Sequence, residues 1–383
     1  MSMEIVIFGG VWLFSLLSVF LRKFTKIAPM LVVIALSILF AFIPLLNTPM
    51  DTEVYQRYFT RPDLISPTFE RGYDAFQRFW SGTGIDYWLY RWILGVLGLA
   101  CYSCALWKFG IKQNIFWCLY PIVPFIEDAI QLRNYLMISL MVLAISFMTK
   151  KSTYIIVIII GYWATTMQSS GWLMIPGFIA FAVWEIKAIR RALVWLYLLL
   201  FVLMLIPFVR TAASTLLMQF NFDLLLGDAG DKALKYVSRN SLNRIVFADA
   251  FFAILNFVFF IKGYEFLDRH ELITSKKDLI VVRILGSFTM VGLAVLPLLP
   301  LAYNFDRLVK NSFIFFFMFQ AFFLSKVQQK HTKGHLIMML VSLIYVLGYG
   351  TAYYFLAAND RWILEVVPIF TQNTFIDYLR GII

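Results

Sequence analysis

Residues able to do chemistry cluster first between positions 49 and 80, in PMDTEVYQRYFTRPDLISPTFERGYDAFQRFW. At 100° per residue, Asp51, Tyr55 and Tyr58 fall on one helical face. After the breaks at Pro62 and Pro67, Phe69, Tyr73 and Phe76 repeat that spacing, with Glu70, Arg71, Asp74 and Arg78 beside them. Carboxylates, guanidiniums and phenol rings on two short amphipathic helices suit a polar ligand held at a membrane surface. The plainer reading is an interfacial belt, with aromatic rings at headgroup level and arginines on lipid phosphate.

A second group is Glu127-Asp128-Ala129-Ile130-Gln131-Leu132-Arg133-Asn134-Tyr135. It places two carboxylates at a turn, and Gln131, Arg133, Asn134 and Tyr135 in the first turn of the apolar run that follows. An ionisable residue at the mouth of a membrane span is costly and marks a functional candidate. The structural alternative is an Arg133 that snorkels to headgroups or pairs with Glu127. Gln168-Ser169-Ser170-Gly171 is a small polar break, and in Tyr303-Asn304-Phe305-Asp306-Arg307 the last residue opens an apolar run just as Arg133 does. A longer polar stretch adds Asp223, Asp228, Asp231, Lys232, Lys235, Arg239, Asn243 and Arg244.

The elements that position these groups are membrane spans. Of 383 residues 61% are hydrophobic and 14% charged, and the mean hydropathy is +0.79. A soluble domain carries about 25% charged residues, so the chain is expected to be an all-α polytopic integral membrane protein. A helix needs about 20 apolar residues to cross hydrocarbon. About twelve spans are expected, over 3–21, 27–46, 85–107, 114–126, 130–148, 153–167, 171–184, 192–209, 245–261, 279–299, 308–325 and 335–355. Several are short or carry Pro121, Pro124 or Pro176, which predicts broken or re-entrant helices around a cavity.

Alternating these spans puts short basic loops inside, as the positive-inside rule requires. The outside then holds 47–84, 127–128, 168–170, 210–244, 300–307 and a tail, 356–383. Glu4 precedes the first apolar run and Arg22, Lys23 and Lys26 follow it, so an uncleaved first span with its N-terminus outside is expected. The chain reads as one transmembrane domain, 1–383, with both termini outside.

The net charge of +11 serves orientation and anionic lipid, and implies no nucleic acid. Residue type says more than charge. On this topology the inside holds thirteen lysines and five arginines, the outside three lysines and twelve arginines. Orientation needs only charge, so an outer preference for arginine points to planar, bidentate recognition of phosphate or carboxylate.

Absences narrow the chemistry. The histidines are His270, His331 and His335, all on the inner side, so no outer His ligand or Ser-His triad exists. No phosphate-binding glycine loop is present. Asp51 and Glu53 diverge by about 200° on a helix, which argues against a metal pair. Cys101, Cys104 and Cys118 lie in apolar runs and imply packing, not a disulfide framework. Arginine, carboxylate, tyrosine and asparagine remain outside, a set able to hold a pyrophosphate leaving group while a carboxylate takes a hydroxyl proton.

The order of these motifs resembles the EpsG-like, Wzy-type bacterial polysaccharide polymerases. It runs from Asp51, Tyr55 and Tyr58 through Glu70-Arg71-Gly72-Tyr73, Gln131-Leu132-Arg133, Lys150-Lys151 and the Gln168–Gly171 turn to Asp306-Arg307-Leu308. Where the family's small turn carries a histidine, this chain has Gln168. The resemblance implies an inverting glycosyltransferase resembling the C-type membrane enzymes, acting on the outer side of the bacterial plasma membrane. It would transfer a growing glycan from undecaprenyl pyrophosphate to the next lipid-linked repeat, without nucleotide sugar, cofactor or metal. Implied partners are the lipid-linked donor and acceptor, membrane lipids, a chain-length regulator and a flippase.

On that basis Arg133 and Arg307, with Arg239 or Arg244, are expected to neutralise the departing diphosphate, and Asp51 or Glu70 to act as base. Tyr55, Tyr58 and Tyr73 would stack on sugar rings, with Arg71, Arg78, Asn134, Tyr135, Gln168 and Asp306 lining the substrate. The rivals are a lipid-linked oligosaccharide flippase, an O-antigen ligase and a sugar acyltransferase. A flippase should place cations deep in both halves of the bundle, and the other two should show an outer histidine or another strong base.

Overall fold

A computed structural model of the protein describes residues 3–43, 50–64, 69–219, 244–302, 305–330, 332–352 and 367–381. Among these residues the secondary structure is entirely helical. Six helices are long and apolar enough to cross a membrane: Tyr87–Phe109, Leu132–Thr149, Lys187–Leu205, Arg244–Arg269, Lys276–Leu298 and Asp306–Gln329. Shorter apolar helices run over Val6–Leu21, Ile27–Ala41, Ser169–Val183 and Leu336–Thr351. Along Lys187–Leu205 only 6% of the most apolar window is buried, and Trp195 is 71% exposed. Such a surface suits hydrocarbon, where apolar side chains lose nothing by facing outward. The chain is a multi-pass membrane protein.

The structure divides into two compact units, Met1–Gln168 with Leu324–Ile383, and Ser169–Phe323. In the first, α1 (Met3–Leu21) and α2 (Ile27–Ala41) precede two short helices, α3 (Met50–Thr60) and α4 (Arg71–Gly82). These are the amphipathic pair expected between 47 and 84. The second begins at Arg71, so Phe69 and Glu70 lie on its extended lead-in (Glu70 φ −71°, ψ 148°) and not on its face. Arg78 fixes the turn between the two. It pairs with Asp74 at 2.7 Å and donates to the carbonyls of Pro62 and Leu64.

Next comes α5 (Tyr87–Phe109), with clear start and stop signals. The Asp86 carboxylate accepts from the Leu89 N–H at 2.9 Å, satisfying one orphan donor of the first turn. Gly110 ends the helix at φ 74°, a left-handed cap that glycine adopts without a Cβ clash. The other Asp86 oxygen accepts from Tyr378 Oη at 2.8 Å, which ties the final helix, Phe375–Leu379, to this end of α5.

The apolar run expected to span 114–126 is broken. It forms α6 (Gln113–Leu119), a 3-10 turn at Tyr120–Ile122 and α7 (Pro124–Ile130), because Pro121 and Pro124 lack the N–H groups a continuous helix needs. After one non-helical residue, Gln131 (φ −111°, ψ 72°), α8 (Leu132–Ser146) begins. Later comes α9 (Tyr154–Met167). The packing of α5 against α8 and against α2 depends on two glycines, Gly98 and Gly95 respectively. A Cβ on Gly98 would lie 2.3 Å from the Tyr135 ring, and one on Gly95 2.7 Å from the Phe40 ring.

In the second unit, Arg283 donates from Nε and Nη2 to the Phe181 carbonyl (2.9 and 2.7 Å) and from Nη1 to Glu185 (2.6 Å). This secures Lys276–Thr289 to the end of Ile175–Val183.

Candidate functional site

The first unit joins three of the sequence motifs in one cluster. Arg133, in the first turn of α8, donates from Nη1 to Glu70 Oε2 at 2.6 Å and from Nε to Tyr55 Oη at 3.3 Å. Its guanidinium lies over the Phe69 ring at 4.9 Å and the Tyr55 ring at 5.9 Å. The arginine is thus held by α3, by the lead-in to α4 and by its own helix. The Arg133 and Glu70 side chains keep 17% and 13% of their surface exposed, so the pair sits at the edge of the protein interior within reach of an outside ligand.

Behind the pair stands an aromatic cluster. Tyr55 stacks on Phe69 (5.4 Å), while Tyr58 and Tyr73 meet Phe69 edge-on at 5.4 and 5.2 Å. Tyr90 donates to Tyr73 Oη at 3.4 Å. Burial holds the Tyr73 phenol well above its usual value, so it stays protonated and uncharged next to the arginine. Tyr73 is fully enclosed and Tyr55 3% exposed. Neither offers an open ring face for a sugar to stack on, and the visible work of both is to fix Arg133 and Phe69. Tyr58 is only partly buried.

A tight contact sets the position of this wall. A Cβ on Gly72 would fall 2.3 Å from Thr166 Oγ1 and 2.8 Å from the Thr166 carbonyl, so α4 can seat against the end of α9 only with glycine there. Gln168, half-buried, follows that end directly.

The remaining candidates are placed as follows. Arg71 is exposed, whereas Arg78 is taken up by the turn described above. Asn134 is buried. Tyr135 is also buried, and donates to the Gly95 carbonyl at 2.7 Å, so its ring serves the α5–α8 interface. Asp51 belongs to α3, but its side chain lies outside the described residues, as does the whole of Arg239. Arg244 starts its helix, exposed. In the second unit Asp306 accepts from the Arg307 N–H at 2.6 Å and pairs with Lys310 at 3.0 Å, both partners of the ion pair being 6% exposed. Among the described residues no group of three or more His, Cys, Asp or Glu is placed to hold a metal ion.

Two features were not anticipated. One is Arg91, inside α5 and wholly buried. The only local sign of it is a charge a few residues inside an apolar run. The other is the surroundings of Asp128, which accepts from Tyr120 at 2.6 Å and Tyr102 at 3.2 Å. The carboxyl is thus enclosed by two phenols that donate to the same oxygen, and Asp128→Asn keeps an acceptor for both.

The family model described as the EpsG family matches residues 6–364, nearly the whole chain. No curated protein and no solved structure matches.

Proposed function

The chain belongs to the EpsG family, and from that premise we propose that it is a polysaccharide polymerase of the outer face of the bacterial plasma membrane. It transfers a growing glycan from undecaprenyl pyrophosphate to the next lipid-linked repeat, with inversion and without a metal, and both chain termini face outward. The observation that carries this reading is the Arg133–Glu70 pair at 2.6 Å, partly exposed and backed by aromatic rings. A planar guanidinium matches the oxygens of a diphosphate, and a carboxylate a bond length away can take a proton.

Glu70, or Asp51, accepts the proton of the acceptor hydroxyl. That oxygen attacks the anomeric carbon of the donor sugar. The bond from this carbon to the diphosphate oxygen breaks, and its electron pair leaves with undecaprenyl pyrophosphate. Arg133 compensates the charge appearing on the departing oxygen, the kind of electrostatic stabilisation that most favours a transition state over its ground state. Arrival of a diphosphate at Arg133 competes with Glu70 for the guanidinium and frees the carboxylate for the proton. Arg307, next to Asp306, is assigned to the same chemistry from its motif.

The test is a strain lacking its own copy of the gene. It should accumulate single lipid-linked repeats on the outer leaflet and regain a polymer ladder with the wild-type chain. Repeats trapped on the inner leaflet would identify a flippase instead. Glu70→Gln keeps the shape and most hydrogen bonds but cannot take a proton, so polymer formation should drop about 10²–10⁴-fold at unchanged membrane abundance. A wild-type ladder from that variant assigns the proton to Asp51 or to solvent.

A further inference from the structure

Arg91 is the one wholly enclosed guanidinium among the described residues. Its Nε and Nη2 donate to the Phe40 carbonyl at 3.3 and 2.9 Å, and Nη2 also donates to the Ala129 carbonyl at 3.1 Å. The guanidinium lies 5.6 Å from the Phe40 ring centre and 5.9 Å from that of Tyr87. Nη1 is buried with no hydrogen-bond partner. Enclosing a cation with carbonyls and rings around it costs free energy that an apolar side chain of the same volume would not. Its retention calls for something only the fork supplies.

The two carbonyls give the reason. Phe40 and Ala129 each stand one residue before the end of a helix, α2 and α7 respectively, where carbonyls lack intrahelical partners and the dipole favours a cation. Beyond Ala129 the chain breaks at Gln131, and Arg133 follows two residues later. On the far side of the break, Tyr135 donates to the Gly95 carbonyl at 2.7 Å. Arg91 and Gly95 are one turn apart on α5, so α5 grips the chain on both sides of the break, at Ala129 and at Tyr135.

We propose that Arg91 is a positioning residue for Arg133, setting through the end of α7 the direction in which α8 starts and hence where the Arg133 guanidinium lies. This rests on the diphosphate reading of Arg133. Lysine at 91 keeps the charge but loses the fork that reaches two helix ends at once.

The test is binding of undecaprenyl diphosphate by the purified full-length protein, for wild type, Arg91→Lys, Arg133→Ala and the double variant, with melting temperature followed in each. Arg91→Lys should melt close to wild type yet bind about tenfold more weakly, and in the Arg133→Ala background it should weaken binding no further, the non-additivity of groups acting as a unit. Wild-type affinity in Arg91→Lys, or losses that simply add in the double variant, overturns the inference. Should Arg91→Lys melt much lower, Arg91→Met supplies the same comparison with an apolar chain of similar reach, and additive losses there overturn it equally. A wild-type protein that does not bind the lipid refutes the diphosphate reading itself and the inference with it.

Discussion

Arg133→Ala should abolish the polymer ladder while the protein still inserts, with a rate loss of about 10²–10³-fold, the usual cost of deleting one donor that stabilises a departing oxyanion. The variant also takes a guanidinium away from Glu70, whose side chain is only 13% exposed. A nearly buried carboxylate that loses its cation destabilises the fold, so the melting temperature should fall as well. The two effects separate in Arg133→Ala/Glu70→Gln, which removes the carboxylate charge as well. Its melting temperature should recover in part, and its activity should not. Arg133→Lys is the finer probe. Lysine has no planar fork and cannot hold both Glu70 and Tyr55 in the observed geometry. Wild-type polymer from Arg133→Lys would show that charge alone is needed there.

Gly98→Ala should destabilise the first unit strongly. Its Cβ would stand 2.3 Å from the Tyr135 ring and 2.5 Å from the Tyr135 hydroxyl, closer than non-bonded atoms approach. The ring has little room to retreat. Its hydroxyl is bonded to Gly95, and its faces meet Phe40 at 4.7 Å and Tyr102 at 6.1 Å between ring centres. Overpacking of this kind costs about 1–3 kcal/mol or more, read as low membrane abundance and a melting point several degrees down. In a Tyr135→Ala background the added methyl has space, and Gly98→Ala should then cost little. An equal cost in both backgrounds would mean that the ring is not what the glycine accommodates.

Much of the site could be read from residue types and spacing. The tyrosine and phenylalanine positions between 51 and 76 foretold two short helices, because amphipathic spacing is a local property. Glu70 stands out as a charge beside the second amphipathic stretch and Arg133 as a charge at the mouth of an apolar run, although their 63-residue separation hides the fact that they meet. The prolines at 121 and 124 announced the broken helix. Arg91 was not legible as a site residue, because its partners, the Phe40 and Ala129 carbonyls, lie 51 and 38 residues away and backbone acceptors leave no mark in a sequence. Tyr55, Tyr58 and Tyr73 have the spacing expected of rings that stack on a sugar, and Tyr135 that of a residue lining the substrate. A pattern of aromatic residues does not distinguish a ring that faces a ligand from one that fixes a neighbour; Tyr55, Tyr73 and Tyr135 are buried against neighbours, whereas Tyr58 is partly open. Of the expected spans, six helices are long enough to cross among the described residues and others are short, because prolines and polar breaks interrupt the apolar runs.

The Glu70–Arg133 pair also bears on how long a product stays. A carboxylate tethered a bond length from the guanidinium is a rival anion that never diffuses away, present at an effective concentration of order millimolar or above. If Arg133 holds a lipid diphosphate as proposed, Glu70 would recapture the arginine each time the spent lipid loosens. On the diphosphate reading, the dwell time of the product would then be shortened by the protein's own side chain.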